Sequence, residues 1–125
     1  MISPANRGIS IRQVQETVAR TFHVSAAELV SPSRHQRITC ARHVAMYLSR
    51  ELAGARGAVR GAERRRPSFP RIGMAFARDH SSVIHAWRVI ERRRLNDRGF
   101  ARLLERLAGE VSRRAGAAVN PPEAA

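Results

Sequence analysis

The sequence predicts an all-α protein, a small helical bundle, and three observations point to it. Apolar residues recur at intervals of three and four, as in Ile11, Val14, Val18 and Phe22, and nowhere alternate convincingly at two. Ser10 with Gln13 and Ser25 with Glu28 have the spacing of capping boxes, which open helices. The chain has 125 residues, one domain's worth, and Gly and Pro punctuate it between the periodic runs.

Each helix follows from its own signals. The first spans about residues 11–22 after Ser10. A short one starts after Ser25, carries Leu29 and stops before Pro32. A polar, basic connection from Ser31 to Arg37 leads into a third, from Arg37 or Ile38 to Ala53, burying Ile38, Ala41, Ala45, Leu48 and Leu52 and ended by Gly54. Residues 54–67 combine Gly with Arg and show no sustained period, so they are expected to form a mobile basic loop. Ser68 then caps a short helix with Phe69, Ile72 and Phe76 facing inward. Ala77 to Asp79 turns into a long helix ending near Leu95, and Asn96 or Asp97 caps a last one carrying Phe100, Leu103, Leu104, Leu107 and Val111. In domain terms, residues 1–9 are expected to be a flexible leader, 10–114 the folded domain with its 54–67 insertion, and 115–125 a disordered tail.

Charge narrows the function. The net charge is +13, and all 23 basic residues are Arg. So large an excess of one sign favours a polyanionic partner, and Arg suits forked contacts to phosphate and guanine. An Arg-only repertoire is equally what a GC-rich coding sequence yields. No long apolar run suggests a membrane span, the N-terminus lacks a signal-peptide pattern, and the single Cys40 has no intrachain disulfide partner. A cytoplasmic, nucleoid-associated location is expected. Of the five histidines, His43 shares a helical face with Cys40, but no second pair completes a zinc set, so no metal and no cofactor are expected. Ser81, Ser82 and His85 suggest a hydrolase only superficially, since no nucleophile elbow surrounds them, and the chain is read as a non-enzyme.

The segment from Ala77 to Glu91 carries most information. At about 100° per residue, Ser81, His85, Arg88 and Arg92 share one face, with Val83, Ala86, Trp87 and Ile90 opposite. Periodicity alone fits any amphipathic surface helix. The residue string Arg78-Asp79-His80-Ser81-Ser82-Val83-Ile84-His85-Ala86 resembles the signature that opens the recognition helix in the C-terminal DNA-binding domain of the bacterial replication initiator DnaA. Phe69-Pro70-Arg71-Ile72-Gly73-Met74-Ala75-Phe76 is similar to that family's first helix of the helix-turn-helix, and Leu29 to Leu52 to its basic loop and following helix. The likeness runs from about Ser10 to Arg114.

This resemblance implies a Trp-repressor-like helix-turn-helix bundle that reads the DnaA box in double-stranded DNA. It assigns base contacts to Asp79, His80, Ser81 and Ser82 at the start of the recognition helix, and to Arg42 and His43 on the preceding helix. Backbone or minor-groove contacts fall to Arg34, Gln36, Arg37, Arg78, His85 and Arg88, with Arg65 and Arg66 added from the basic loop. The departures are specific. Gln36 stands where the family has its minor-groove Arg, Ser81 and Ser82 replace threonines, Ala77 stands for two glycines, Val89 replaces a Lys, and the 54–67 loop is longer. The ATPase module of a full initiator would need a Walker A lysine, and this chain has no lysine, so neither nucleotide binding nor ATPase activity is expected. With only nine residues ahead of the capped first helix, a complete initiator is not expected: the chain is either a standalone, monomeric DNA-binding protein acting in replication initiation or transcription, which Met1 and the Pro-Pro-Glu-Ala-Ala end favour, or a fragment of a larger initiator. A replication protein is a second candidate partner. The alternative is a basic module that binds RNA or an acidic protein.

Overall fold

The computed structural model describes residues 8–54 and 66–119. Six helices account for most of them: α1 (Ile11–Phe22), α2 (Ala26–Leu29), α3 (Gln36–Leu52), α4 (Phe69–Ala75), α5 (His80–Asn96) and α6 (Arg98–Val119). Among the described residues the only β pairing is an isolated bridge between Ile9 and Gly54. The expected helical class is what forms.

Both capping boxes are complete. Ser10 accepts from the Gln13 N–H while Gln13 returns the bond to the Ser10 N–H, and Ser25 and Glu28 do the same. Each satisfies two N–H groups that a helix start leaves unpaired. α1 closes on His23 in the left-handed region, φ 58°, with Val24 N–H returning to the Ala19 carbonyl.

α3 is the central helix and packs against all five others. Ile38, Ala41, Val44, Ala45, Met46, Tyr47 and Leu48 are buried on it, so its burial reaches well beyond one stripe. It begins at Gln36, a residue or two earlier than expected, because the His35 imidazole Nδ1 accepts from Arg37 N–H as a cap. Its far end is tied back at Gly54, φ 115°, whose N–H donates to the Ile9 carbonyl at 2.9 Å. That contact buries Ile9, which is therefore anchored to the domain, unlike the free leader expected there.

α4, the turn and α5 form the helix-turn-helix. Ser68 caps α4, and Ile72 and Phe76 are fully buried. A Cβ on Gly73 would lie 2.5 Å from the Arg78 carbonyl oxygen, so the turn closes over α4 only because residue 73 has no side chain. Ala77 supplies the reversal at φ 57°. Asp79 caps α5, whose Val83, Ala86 and Ile90 are buried. Trp87, expected in the core, is half-buried at the α3–α5 seam, where its indole N–H donates to Glu51 at 2.9 Å and its ring stacks on Tyr47 at 5.7 Å. An indole N–H needs an acceptor, and that keeps the ring at the edge. α6 buries Phe100, Leu104, Leu107, Val111 and Ala115, a stripe one step longer than expected, and it continues to Val119, past the boundary at Arg114.

Candidate nucleic-acid interface

The first turn of α5 and the stretch from Ser31 into α3 lie side by side and form a basic surface. Between Val30 and Arg50 the sequence contains no Asp or Glu, and between Phe76 and Ile90 it contains one, Asp79. That carboxylate is occupied locally. Its Oδ1 accepts from the Ser81 hydroxyl at 2.8 Å and from the Ser82 N–H at 3.0 Å, bonds that hold its pKa below the ordinary Asp value. A negative charge at a helix start is also favoured by the helix dipole. Asp79 thus fixes where α5 begins and which way its first side chains point.

His80, Ser81, His85 and Arg88 are exposed along one face of α5, and Ser82 is half-buried beside them. His85 meets His43 of α3 edge to face, with ring centroids 6.0 Å apart. Burial, then the neighbouring His85, then Arg42 depress the His43 pKa. Arg42, His43, Met46, Arg78, Ser81, Ser82 and His85 line a shallow cleft between the two helices. Arg34, Gln36 and Arg37 are exposed where the loop enters α3.

One expected DNA contact is corrected. Arg42 is 5% exposed, with Nε donating to the Leu29 carbonyl at 2.7 Å and Nη2 to Ser31 and Ser33 carbonyls at 2.9 and 3.0 Å. The one-turn helix α2 leaves carbonyls unpaired at its end, Pro32 brings no N–H to help, and the arginine fork supplies the donors. Helical spacing held this signal, because Arg42 is four residues after Ile38 and three before Ala45, within the buried stripe. Arg66, expected on the DNA backbone, places Nη1 3.9 Å from the Glu51 carboxylate while its side chain stays about half exposed. Glu51 is eight residues beyond His43 on α3, about 12 Å along the axis. Arg65 and the loop from 55 to 65 lie outside the described residues. Arg78 is half-buried and gives Nη2 to the Ser31 carbonyl at 2.8 Å, a bond that no sequence signal indicated.

The family of the bacterial dnaA protein helix-turn-helix matches residues 11–90 of this chain. The chromosomal replication initiator protein DnaA of Lactobacillus acidophilus is 40% identical over 93 residues, which are 74% of this chain and 18% of that protein. The DnaA of Caldanaerobacter subterraneus subsp. tengcongensis is 32% identical over 111 residues, 89% of this chain and 22% of that protein. Among solved structures, the crystal structure of a DNA replication initiation factor superposes with a TM-score of 0.64 at 30% identity, over 84% of this chain and 29% of that one. The chain thus spans about a fifth of the length of these curated relatives. Helix order, turn geometry and sequence agree, and the chain belongs to the bacterial DnaA helix-turn-helix family.

Proposed function

We propose that this domain binds double-stranded DNA at DnaA-box-like sites, as a regulator of replication initiation or transcription, and that it carries no ATPase of its own. The observation behind this reading is the exposed first turn of α5, capped by Asp79 and flanked by the stretch from Ser31 to Arg50, which holds no Asp or Glu. The first residues of a recognition helix are those that reach base edges in the major groove. His80, Ser81 and Ser82 read bases there, His43 reads from α3, and Asp79 accepts from a cytosine amino group through the carboxylate capacity its cap leaves over. Arg34, Gln36 and Arg37 take the minor groove or backbone, with His85 and Arg88 on phosphates. Arg42 supports the surface from within. The site of action is the cytoplasm at the nucleoid, and the working form is the monomer.

The RNA alternative is weakened by the aromatics, which are committed elsewhere. Tyr47 stacks on Trp87, Phe69 lies under Arg50, Phe100 under Arg93, Phe76 is buried and Phe22 packs on the core, so no Phe, Tyr or Trp platform stands on this face among the described residues. The test is selection from a random duplex library, followed by anisotropy titrations of the selected duplex, a shuffled duplex, structured RNA and polyglutamate over a range of salt. The reading predicts about a thousandfold preference for the selected duplex over the shuffled one, with each neutralised phosphate adding about 0.9 to the log–log salt slope. Equal affinity for all four polyanions overturns it.

A further inference from the structure

The Ser31 carbonyl receives two guanidinium groups. Arg42 Nη2 reaches it at 2.9 Å from α3, and Arg78 Nη2 at 2.8 Å from the turn of the helix-turn-helix, 47 residues away in sequence. Arg42 also grips the carbonyls on either side, Leu29 and Ser33, so the whole bend of the α2–α3 loop is held by one side chain. Arg78 is fixed at its other end, since its backbone N–H donates to the Gly73 carbonyl at 2.8 Å. Among the described residues no other hydrogen bond joins the loop to the turn, and neither arginine has a carboxylate partner. Two cations converge on one neutral oxygen. Mutual repulsion opposes that arrangement, so the joint stands on hydrogen-bond geometry, which the planar guanidinium fork supplies and a single ammonium does not.

What the joint connects gives it meaning. Arg34, Gln36 and Arg37 follow Ser31 within six residues, and Asp79 and His80 follow Arg78 directly. We propose that Arg42 and Arg78 are positioning residues that clamp the α2–α3 loop to the start of the recognition helix through Ser31, and so set the distance between two DNA-reading elements. The proposal rests on the DNA-binding reading above for its consequence in recognition, while the clamp itself is a property of the free protein. Loss of the clamp lets the loop wander relative to α5. Preference then falls at base pairs read by the loop and survives at those read by His80 to Ser82, because a contact discriminates only when its geometry is held.

The experiment compares wild type with Arg78→Gln, whose shorter side chain does not span the gap and whose partly exposed position spares the core. In the absence of DNA, amide hydrogen exchange at residues 31–37 is expected to speed up about tenfold or more with α1, α5 and α6 unchanged. With DNA, base-pair preferences are measured one position at a time, with Arg34→Ala marking the positions the loop reads. The expected result is about a tenfold loss of preference at those positions alone. Unchanged exchange in residues 31–37 overturns the clamp. A uniform loss across all duplexes, with the salt slope reduced by about 0.9, makes Arg78 a simple phosphate contact and also overturns it. A wild-type protein without any base preference would refute the DNA-reading function, and the exchange measurement would still decide the clamp.

Discussion

Replacing Gly73 by Ala tests the turn on which the recognition helix depends, and its sign is opposite to that of an ordinary helical substitution. In an open helix interior, Gly→Ala stabilises by about 0.5–1 kcal/mol through backbone entropy and helix propensity. At Gly73 the new methyl would stand 2.5 Å from the Arg78 carbonyl oxygen, 3.2 Å from the Asp79 carbonyl carbon and 3.3 Å from the Asp79 oxygen. These are backbone atoms and do not rotate aside. The turn has to move, which strains the Arg78 N–H to Gly73 carbonyl bond and shifts Asp79, the cap of α5. Overpacking of this kind costs about 1–3 kcal/mol, and a lost hydrogen bond about 1 more, so the propensity gain is outweighed and a net loss of about 1–3 kcal/mol remains. Gly109 is the control. It lies within α6 with nothing within 4 Å of the added carbon, so Gly109→Ala should stabilise. Thermal melting followed by circular dichroism reads both, at about 4–8 °C per kcal/mol for a domain of this size. A melting temperature for Gly73→Ala at or above wild type would refute the packing of the turn.

Three further outcomes follow from the same structure. Arg42→Met should lower stability in urea melts by about 2–4 kcal/mol, because it strands the Leu29, Ser31 and Ser33 carbonyls that the buried guanidinium serves; a change under about 0.5 kcal/mol would mean that the fork is dispensable. The folded-state pKa of His43 is depressed, so the unfolded chain binds more protons, and stability should decline as pH falls from about 6.5 toward the lowered value. His43→Gln should flatten that decline, and an unaltered pH profile would show that burial beside His85 and Arg42 does not govern it. Trp87→Phe keeps the stack on Tyr47 but removes the donor to Glu51, and should cost about 1 kcal/mol by thermal melting; an unchanged midpoint would dismiss that hydrogen bond as a seam contact.

Helix identity was legible because its signals are local. The capping pairs Ser10–Gln13 and Ser25–Glu28 and the three-and-four spacing of apolar residues need no knowledge of the fold, and they mark α1, α2 and the stripes of α3 and α6. What escaped is tertiary. His35 as a cap depends on an imidazole finding a backbone N–H, which composition does not announce. The stretch from residue 115 was expected to be a disordered tail, yet α6 runs on to Val119 with Gly116 as a helical residue that has open space around it. Trp87 counted as core on periodicity, but its N–H drew it to Glu51 at the seam. The candidate site divides in the same way. The start of α5 was legible from its residue string, whereas Arg42 took its expected role from the family likeness even though its spacing placed it in the buried stripe. The contact of Arg66 with Glu51 carried no local signal.

Base reading by the exposed first turn of α5 is tested most directly at His80, which is exposed and makes no packing contribution to the core. The decisive measurement is the ratio of affinities for the selected and the shuffled duplex, compared between wild type and His80→Ala. The ratio is expected to fall about tenfold or more, as loss of a base contact worth about 1–3 kcal/mol requires, while affinity for the shuffled duplex and the melting temperature stay at wild-type values. A ratio that survives His80→Ala intact, or one that falls only because the variant unfolds, would contradict base reading by this turn.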